Sequence, residues 1–290
     1  MNELLSAYLA GRTELYDRCA RHLAAENLPH SALHHVFWGD FYADDAHLPV
    51  GIGGAELPRG GFTAPDLASS VTHDIKKVGA WKRLCVTTTW YLDLDPFADA
   101  EAWFSSLSAK NRKKLRWLRN ALPKLGVTVS ELATEADYDD FEKLYCAQFP
   151  KYRPGSPDMR GLRAIYRELA AAGSAFCRIL RDRDGNALAA SLAYTAGEAL
   201  YYTHLTRTRG EYDKYSPGYY LTYAVIAEVL ESRRELKHFF MGPGEYDYKA
   251  ALGGTAFPVF RYERAGWGNL FGLIRLRHRA AKERKKAAAR

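Results

Sequence analysis

The stretch from Phe176 to Glu263 constrains the fold more than any other part of the chain, because extended and helical patterns alternate there with short punctuation. Phe176 to Arg181 reads as a strand, Asp182 to Asn186 as a turn, and Ala187 to Tyr194 as a second strand. Gly197 and Glu198 turn the chain into a third strand, Leu200 to Leu205. A polar loop from Thr206 to Tyr215 leads to a long helix, Pro217 to Arg233. Strand Leu236 to Met241, helical turn Glu245 to Ala251 and strand Phe257 to Glu263 follow. An antiparallel meander, one helix, a strand, a short helix and a final strand narrow the fold to a few α/β arrangements.

Upstream, Asn2 to Asn27 has helical apolar spacing broken by Gly11 and ended near Pro29, which fits two helices or one kinked helix. His35 to Asp74 turns to Gly, Pro and Asp. Its Gly51, Gly53 and Gly54 form no GxGxxG or GKS/GKT signature, so a turn or hairpin is the reading. Arg83 to Leu94 (RLCVTTTWYLDL) is β-branched and aromatic, a good strand. Asp99 to Leu107 reads as a short helix. Ser108 then caps a second helix carrying Arg112, Lys113, Lys114, Arg116 and Arg119, a basic and mostly solvated face. Strand Val127 to Glu131, helix Glu135 to Gln148, a Pro- and Gly-rich loop and helix Asp158 to Ala172 complete the series.

Length and composition, 290 residues with 47% hydrophobic content, suffice for one large core or two modest ones. No apolar run comes near the roughly 20 residues of a spanning helix. The opening, Met1 to Arg21, lacks the basic start of a signal peptide, so the expected location is cytoplasmic. Cys19, Cys85, Cys146 and Cys177 show no CxxC spacing and read as reduced thiols. His30, His34 and His35 lack a third ligand at suitable spacing, so no metal is expected. The net charge of +7 lies in one place: residues 275–290 hold eight basic groups against Glu283 alone, and the other 274 residues carry 33 of each sign. The basic balance therefore belongs to the tail, and no sequence-specific DNA-binding face is expected.

Two segments carry chemistry. Tyr215-Ser216-Pro217-Gly218-Tyr219-Tyr220 heads the long helix, with Ser216 suited to the N-cap, Pro217 to the first helical position and Gly218 leaving the first-turn amides open. An anion such as a pyrophosphate suits that end, with Lys214, Arg207 or Arg209 as countercharges; a plain helix cap is the alternative. In FFMGPGEYDYK, an apolar strand stops at two glycines and releases a polar cluster. Glu245 can serve as a base, Tyr246 or Tyr248 as an acid and Lys249 as a cationic anchor. The alternative there is a solvated turn with Lys249 pairing Glu245.

From about Trp90 to Ala265 the chain resembles the GNAT acyltransferase superfamily, within it the FemAB-like and CelD-like branch. The matching segments run in the family's order: WYLDLD, SSLSAKNRKKLRWLRNALPKLGV, RILRDRDGNALAASLAYTAGEALYYTHL, YSPGYYLTYAVIAEVL and FFMGPGEYDYKAALGG. The resemblance implies a GNAT fold, a mixed and mostly antiparallel sheet flanked by helices, in which two adjacent strands part to admit the pantetheine arm of an acyl-CoA. It implies direct transfer of an acyl group to an amine, without metal or covalent intermediate. On this sequence the parted strand is Leu200 to Leu205, whose amides polarise the thioester carbonyl. Ser216, Gly218, Tyr219 and Lys214 then hold pyrophosphate. Tyr248, with Tyr246 second, protonates the departing thiolate, and His204 accepts the amine proton.

The usual pyrophosphate signature is not met, since Tyr215 to Tyr220 offers one glycine. Acyl carrier protein and aminoacyl-tRNA therefore stand beside acyl-CoA as donors, both docking on basic surface such as Lys110 to Arg119 or the tail. A catalytically inactive, membrane-associated scaffold is the reading from another class. The expected division is an N-terminal region over residues 1–89, either a degenerate first GNAT-like half or a substrate cap, an acyltransferase domain over 90–265 and an amphipathic, basic tail over 266–290. In that tail Trp267, Leu270, Phe271, Ile274 and Leu276 precede the basic run. Such a segment lies on an anionic membrane or packs as a last helix before a disordered tail.

Overall fold

The computed structural model describes residues 11–37, 61–65, 74–79, 81–243, 247–264 and 270–288. The Gly51 to Gly54 loop, Glu245, Tyr246 and Trp267 lie outside them, as does the first part of the expected N-terminal helix.

Nine strands form one mixed sheet among the described residues: β1 (Gly61–Pro65), β2 (Lys76–Val78), β3 (Trp81–Asp93), β4 (Thr128–Glu131), β5 (Arg178–Arg181), β6 (Ala187–Ala196), β7 (Ala199–Arg207), β8 (His238–Pro243) and β9 (Thr255–Arg264). Their spatial order is β1-β9-β3-β8-β7-β6-β5-β4, with β2 paired to β3 off that path. Every pairing is antiparallel except β7 with β8. That single parallel contact follows from the crossover helix between the two strands, as a parallel pair requires.

The helices are α1 (Arg12–Ala25), α2 (Ser31–Val36), α3 (Ala100–Ser106), α4 (Ala109–Lys124), α5 (Glu135–Gln148), α6 (Pro157–Ala171), α7 (Pro217–Ser232), α8 (Asp247–Ala251) and α9 (Leu270–Ala288). Their starts follow from capping chemistry. Asp99 accepts from the Ala102 amide at 2.7 Å, Ser108 from Asn111 at 3.4 Å, and Thr134 forms a capping box with Asp137. Two apolar clusters cover opposite faces of the sheet. One gathers α1, α2, α5 and α6 around Tyr166, Tyr194, Tyr201 and Phe240. The other gathers α3, α4 and α7 around Trp103, Tyr202, Ile226 and Phe239.

The expected boundary at residue 89 falls inside β3, which pairs with β8 and β9 through the middle of the sheet. The N-terminal helices join the same core. Arg12, only 3% exposed, donates from Nε to the Tyr194 hydroxyl at 2.9 Å and lies 4.6 Å over the Tyr201 ring. A buried guanidinium is tolerated there because acceptors and an aromatic face replace its water.

Strand β8 starts and ends two residues later than expected. Leu236 closes the turn after α7, its amide bonding Arg233 oxygen at 2.9 Å, and pairing with Trp90 and Thr89 keeps Gly242 and Pro243 in the strand. The tail differs as well. Among its described residues, 270–288 form one continuous helix, α9, seated through Leu276 and Ala280 on Leu84 of β3, where a disordered tail after a packed segment stood among the expectations.

Candidate functional site

Strands β7 and β8 pair through Ala199↔His238, Leu200↔Phe239 and Tyr201↔Phe240, and no further. Beyond Tyr201, β7 continues to Arg207 against β6 alone, while β8 continues to Pro243 against β3 alone. The sheet thus opens at its middle, leaving one edge of each strand unpaired.

A bulge shapes the β7 side of the opening. Leu192 pairs with His204 and Ala193 with Tyr202, so Thr203 has no opposite number. Strict alternation would send Thr203 and His204 to opposite faces. The bulge turns both toward α5 and α6, while Tyr202 and Leu205 pack on the α4 and α7 side. Amide directions follow from the same strand. Thr208 donates to Leu188 oxygen in β6 at 2.8 Å. By alternation the Arg207 and Leu205 amides point away from β6. The Arg207 amide indeed donates elsewhere, to Gln148 Oε1 at 3.1 Å. Leu205 N–H is therefore aimed from β7 into the opening.

His204 is buried, ringed edge-on by Phe141, Tyr145 and Tyr166. Its Nδ1 lies 2.8 Å from Thr203 Oγ1, which also meets the Tyr166 hydroxyl and donates to Leu192 oxygen at 2.9 Å. With the hydroxyl hydrogen spent on Leu192, Oγ1 is left to accept from Nδ1–H.

On the opposite face, the N-terminus of α7 abuts the same stretch of β7. A Cβ added to Gly218 would lie 3.5 Å from Leu205 Cδ2 and 3.6 Å from Arg207 Cδ, ordinary contact distances. Ser216 occupies the N-cap position at φ 46°, but its side chain makes no capping bond. Its hydroxyl instead faces Lys114 Nζ of α4 at 3.2 Å. The first helical bond runs from Tyr220 N–H to Ser216 oxygen, which leaves the Gly218 and Tyr219 amides as the first-turn donors an anion would use.

Two of the three cations expected as countercharges have neighbours of their own. Arg207 is ion-paired with Asp213, and Lys214 lies 5.0 Å from its neighbour Tyr215's ring. Lys114 also lies at this helix end, 4.6 Å over the Tyr219 ring, with its pKa lowered by partial desolvation and by Lys110. Sequence reasoning placed Lys114 in a solvated basic face. The available signal was Lys110, Lys114 and Trp117 at helical spacing, and nothing in it reports which neighbour that stripe meets. Trp117 is 47% exposed and stacks on Tyr215 at 5.3 Å and 13°.

The β8 side holds Lys249. It is 1% exposed and donates from Nζ to the carbonyls of Gly242 at 2.8 Å and Pro243 at 2.9 Å. Burial pushes its pKa down to about 7. Desolvation thus penalises the ammonium form of the expected cationic anchor. Tyr248, half-buried, stands beside it in α8 and packs toward the α4 and α7 side. Nearby on β3, Thr89 Oγ1 and Trp90 Nε1 are buried without a hydrogen-bond partner, as is the Tyr219 hydroxyl in α7. Buried polar atoms without a partner are uncommon in folded proteins. The four cysteines are buried, and burial pushes the Cys19 and Cys177 thiols up to about 12, far from a reactive thiolate.

The site is thus an opened α/β sheet with a helix N-terminus on one face and a walled imidazole on the other. Residues 109–250, just under half of the chain, match the family model of the acetyltransferase (GNAT) domain. No curated protein matches the chain. Similar solved structures include FemX, at 13% identity and TM-score 0.48 over 60% of this chain and 61% of that one. L-PGS from Bacillus licheniformis is similar at 11% and 0.46, over 68% and 66% respectively. A GCN5-related N-acetyltransferase from Sphaerobacter thermophilus is similar at 12% and 0.42, over 71% and 61%. The chain spans less than two thirds of the length of each of these structures. No helix among the described residues is long and apolar enough to cross a membrane.

Proposed function

We propose that this chain transfers an acyl group from a thioester donor, acyl-CoA or acyl carrier protein, to a primary amine by direct attack. The parting of β7 from β8, with Leu205 N–H aimed into the opening, carries this reading. A pantetheine arm is an extended amide chain that can take the unpaired edges as a strand would. Its phosphates then reach the Gly218 and Tyr219 amides and Lys114. The amine nitrogen attacks the thioester carbon, Leu205 N–H receives the developing oxyanion, and His204 accepts the proton lost by nitrogen. The carbon–sulfur bond breaks with its electron pair on sulfur, and Tyr248 returns a proton to the thiolate. Lys249 holds the end of β8 against α8, which sets Tyr248. The products are an amide and a free thiol.

Thermal unfolding with CoA, acetyl-CoA and a long-chain acyl-CoA tests the donor. Ligand at about 100 times its dissociation constant adds roughly 2.7 kcal/mol, a shift of some degrees at this size. No shift with any of them rejects acyl-CoA. The phosphate assignment has its own test in Gly218→Asp. The site has room for a Cβ, and an acidic residue in the first turn favours a helix, so the protein should fold normally. Donor affinity should fall at least about tenfold through repulsion of phosphate; unchanged affinity removes α7 from the donor site.

A second reading, the FemAB-like use of aminoacyl-tRNA, is favoured by Trp117. An exposed indole on Tyr215, among the cations of α4, offers a nucleobase a stacking face beside a phosphate site. Activity lost on ribonuclease treatment would favour this donor over acyl-CoA.

A further inference from the structure

We propose that α9 lays this protein on an anionic lipid surface. Gly272, Leu276 and Ala280 recur every fourth residue and are buried, which seats one side of the helix on the sheet. The other side is unlike the rest of the surface. Phe271 is 82% exposed and Ile274 50% exposed, one turn apart, and the remaining exposed large apolar side chains among the described residues are Trp117 and Leu125. Arg275, Arg277 and His278 are exposed on the turns that follow. Residues 275–290 carry eight basic groups against Glu283 alone, while the remainder of the chain is neutral.

This combination selects the partner. A polyanion such as RNA would neutralise the arginines and leave Phe271 and Ile274 in water. The boundary between headgroups and acyl chains takes both, apolar side chains below and guanidinium groups at the phosphates. The helix is already formed and seated through Leu276 on Leu84, so binding would not bear the cost of folding it. At 1.5 Å per residue it presents a rod of about 28 Å to the surface.

Cosedimentation of the full chain with vesicles decides the matter. Vesicles of phosphatidylglycerol and phosphatidylcholine should bind about tenfold or more tightly than phosphatidylcholine alone, and high salt should weaken that binding. Phe271→Ser/Ile274→Ser and Arg275→Gln/Arg277→Gln alter exposed positions, so each should melt like the parent and each should lose at least about fivefold in affinity. Absence of binding to the anionic vesicles overturns the proposal. So does binding that survives Phe271→Ser/Ile274→Ser while RNA competes it away, which would make α9 a general polyanion site.

Discussion

Leu205→Pro is expected to lower turnover by about 10²- to 10³-fold, the usual effect of deleting one oxyanion donor. The substitution removes the amide proton aimed into the opening between β7 and β8, and with it the leucine side chain that packs beside Gly218. Because that N–H points away from β6, its loss breaks no bond of the β6–β7 ladder, and proline is tolerated where a strand's N–H faces no neighbour. Leu205→Met keeps the amide and changes only the side chain, so its turnover should stay within a few-fold of the parent. Thermal unfolding with donor separates chemistry from binding. A proline variant that melts cooperatively, still gains stability from donor and turns over at the parent rate would exclude Leu205 from carbonyl activation.

Lys249→Met should change both the level of stability and its pH dependence. Two carbonyls, those of Gly242 and Pro243, lose their shared donor, and the loss should cost about 2–3 kcal/mol near pH 9. The pH dependence follows from the folded pKa of about 7 against an ordinary 10.5. Between those values the unfolded chain binds a proton that the folded chain does not, so rising pH favours folding. Relative to the methionine variant, the parent should gain up to about 1.4 kcal/mol per pH unit from about pH 7 upward, levelling off near 10.5. Below about 7 both states hold the proton and the desolvation penalty stands in full. Urea unfolding of both proteins at pH 6.5, 8 and 9 reads this directly, and a difference that does not vary with pH would mean that Lys249 stays charged when folded.

These two positions also mark what a sequence can and cannot reveal. Leu205 was legible as the end of a meander strand, because a β-branched and aromatic run bounded by turns states its own conformation. Its amide direction was not. That direction comes from the bulge at Thr203, an offset between strands rather than a property of either. The same offset turns His204 toward α5 and α6, where Phe141, Tyr145 and Tyr166 wall it in. Lys249, by contrast, sits in a five-residue helix among polar neighbours, a pattern that reads as solvated. Only the end of β8 folded against α8 buries it.

What the sequence determined alone is the order and kind of the elements: the cap at Ser108, the meander, the crossover helix and the amphipathic C-terminal segment. Local backbone preferences and apolar periodicity act over a few residues, and a few residues suffice to read them. The tertiary structure decided the opening between β7 and β8, the move of Lys114 from surface face to helix N-terminus, and the burial of Arg12 and Lys249. Each depends on contacts between groups far apart in the chain, whose energies come from packing, desolvation and register, quantities that exist only once the strands and helices have met.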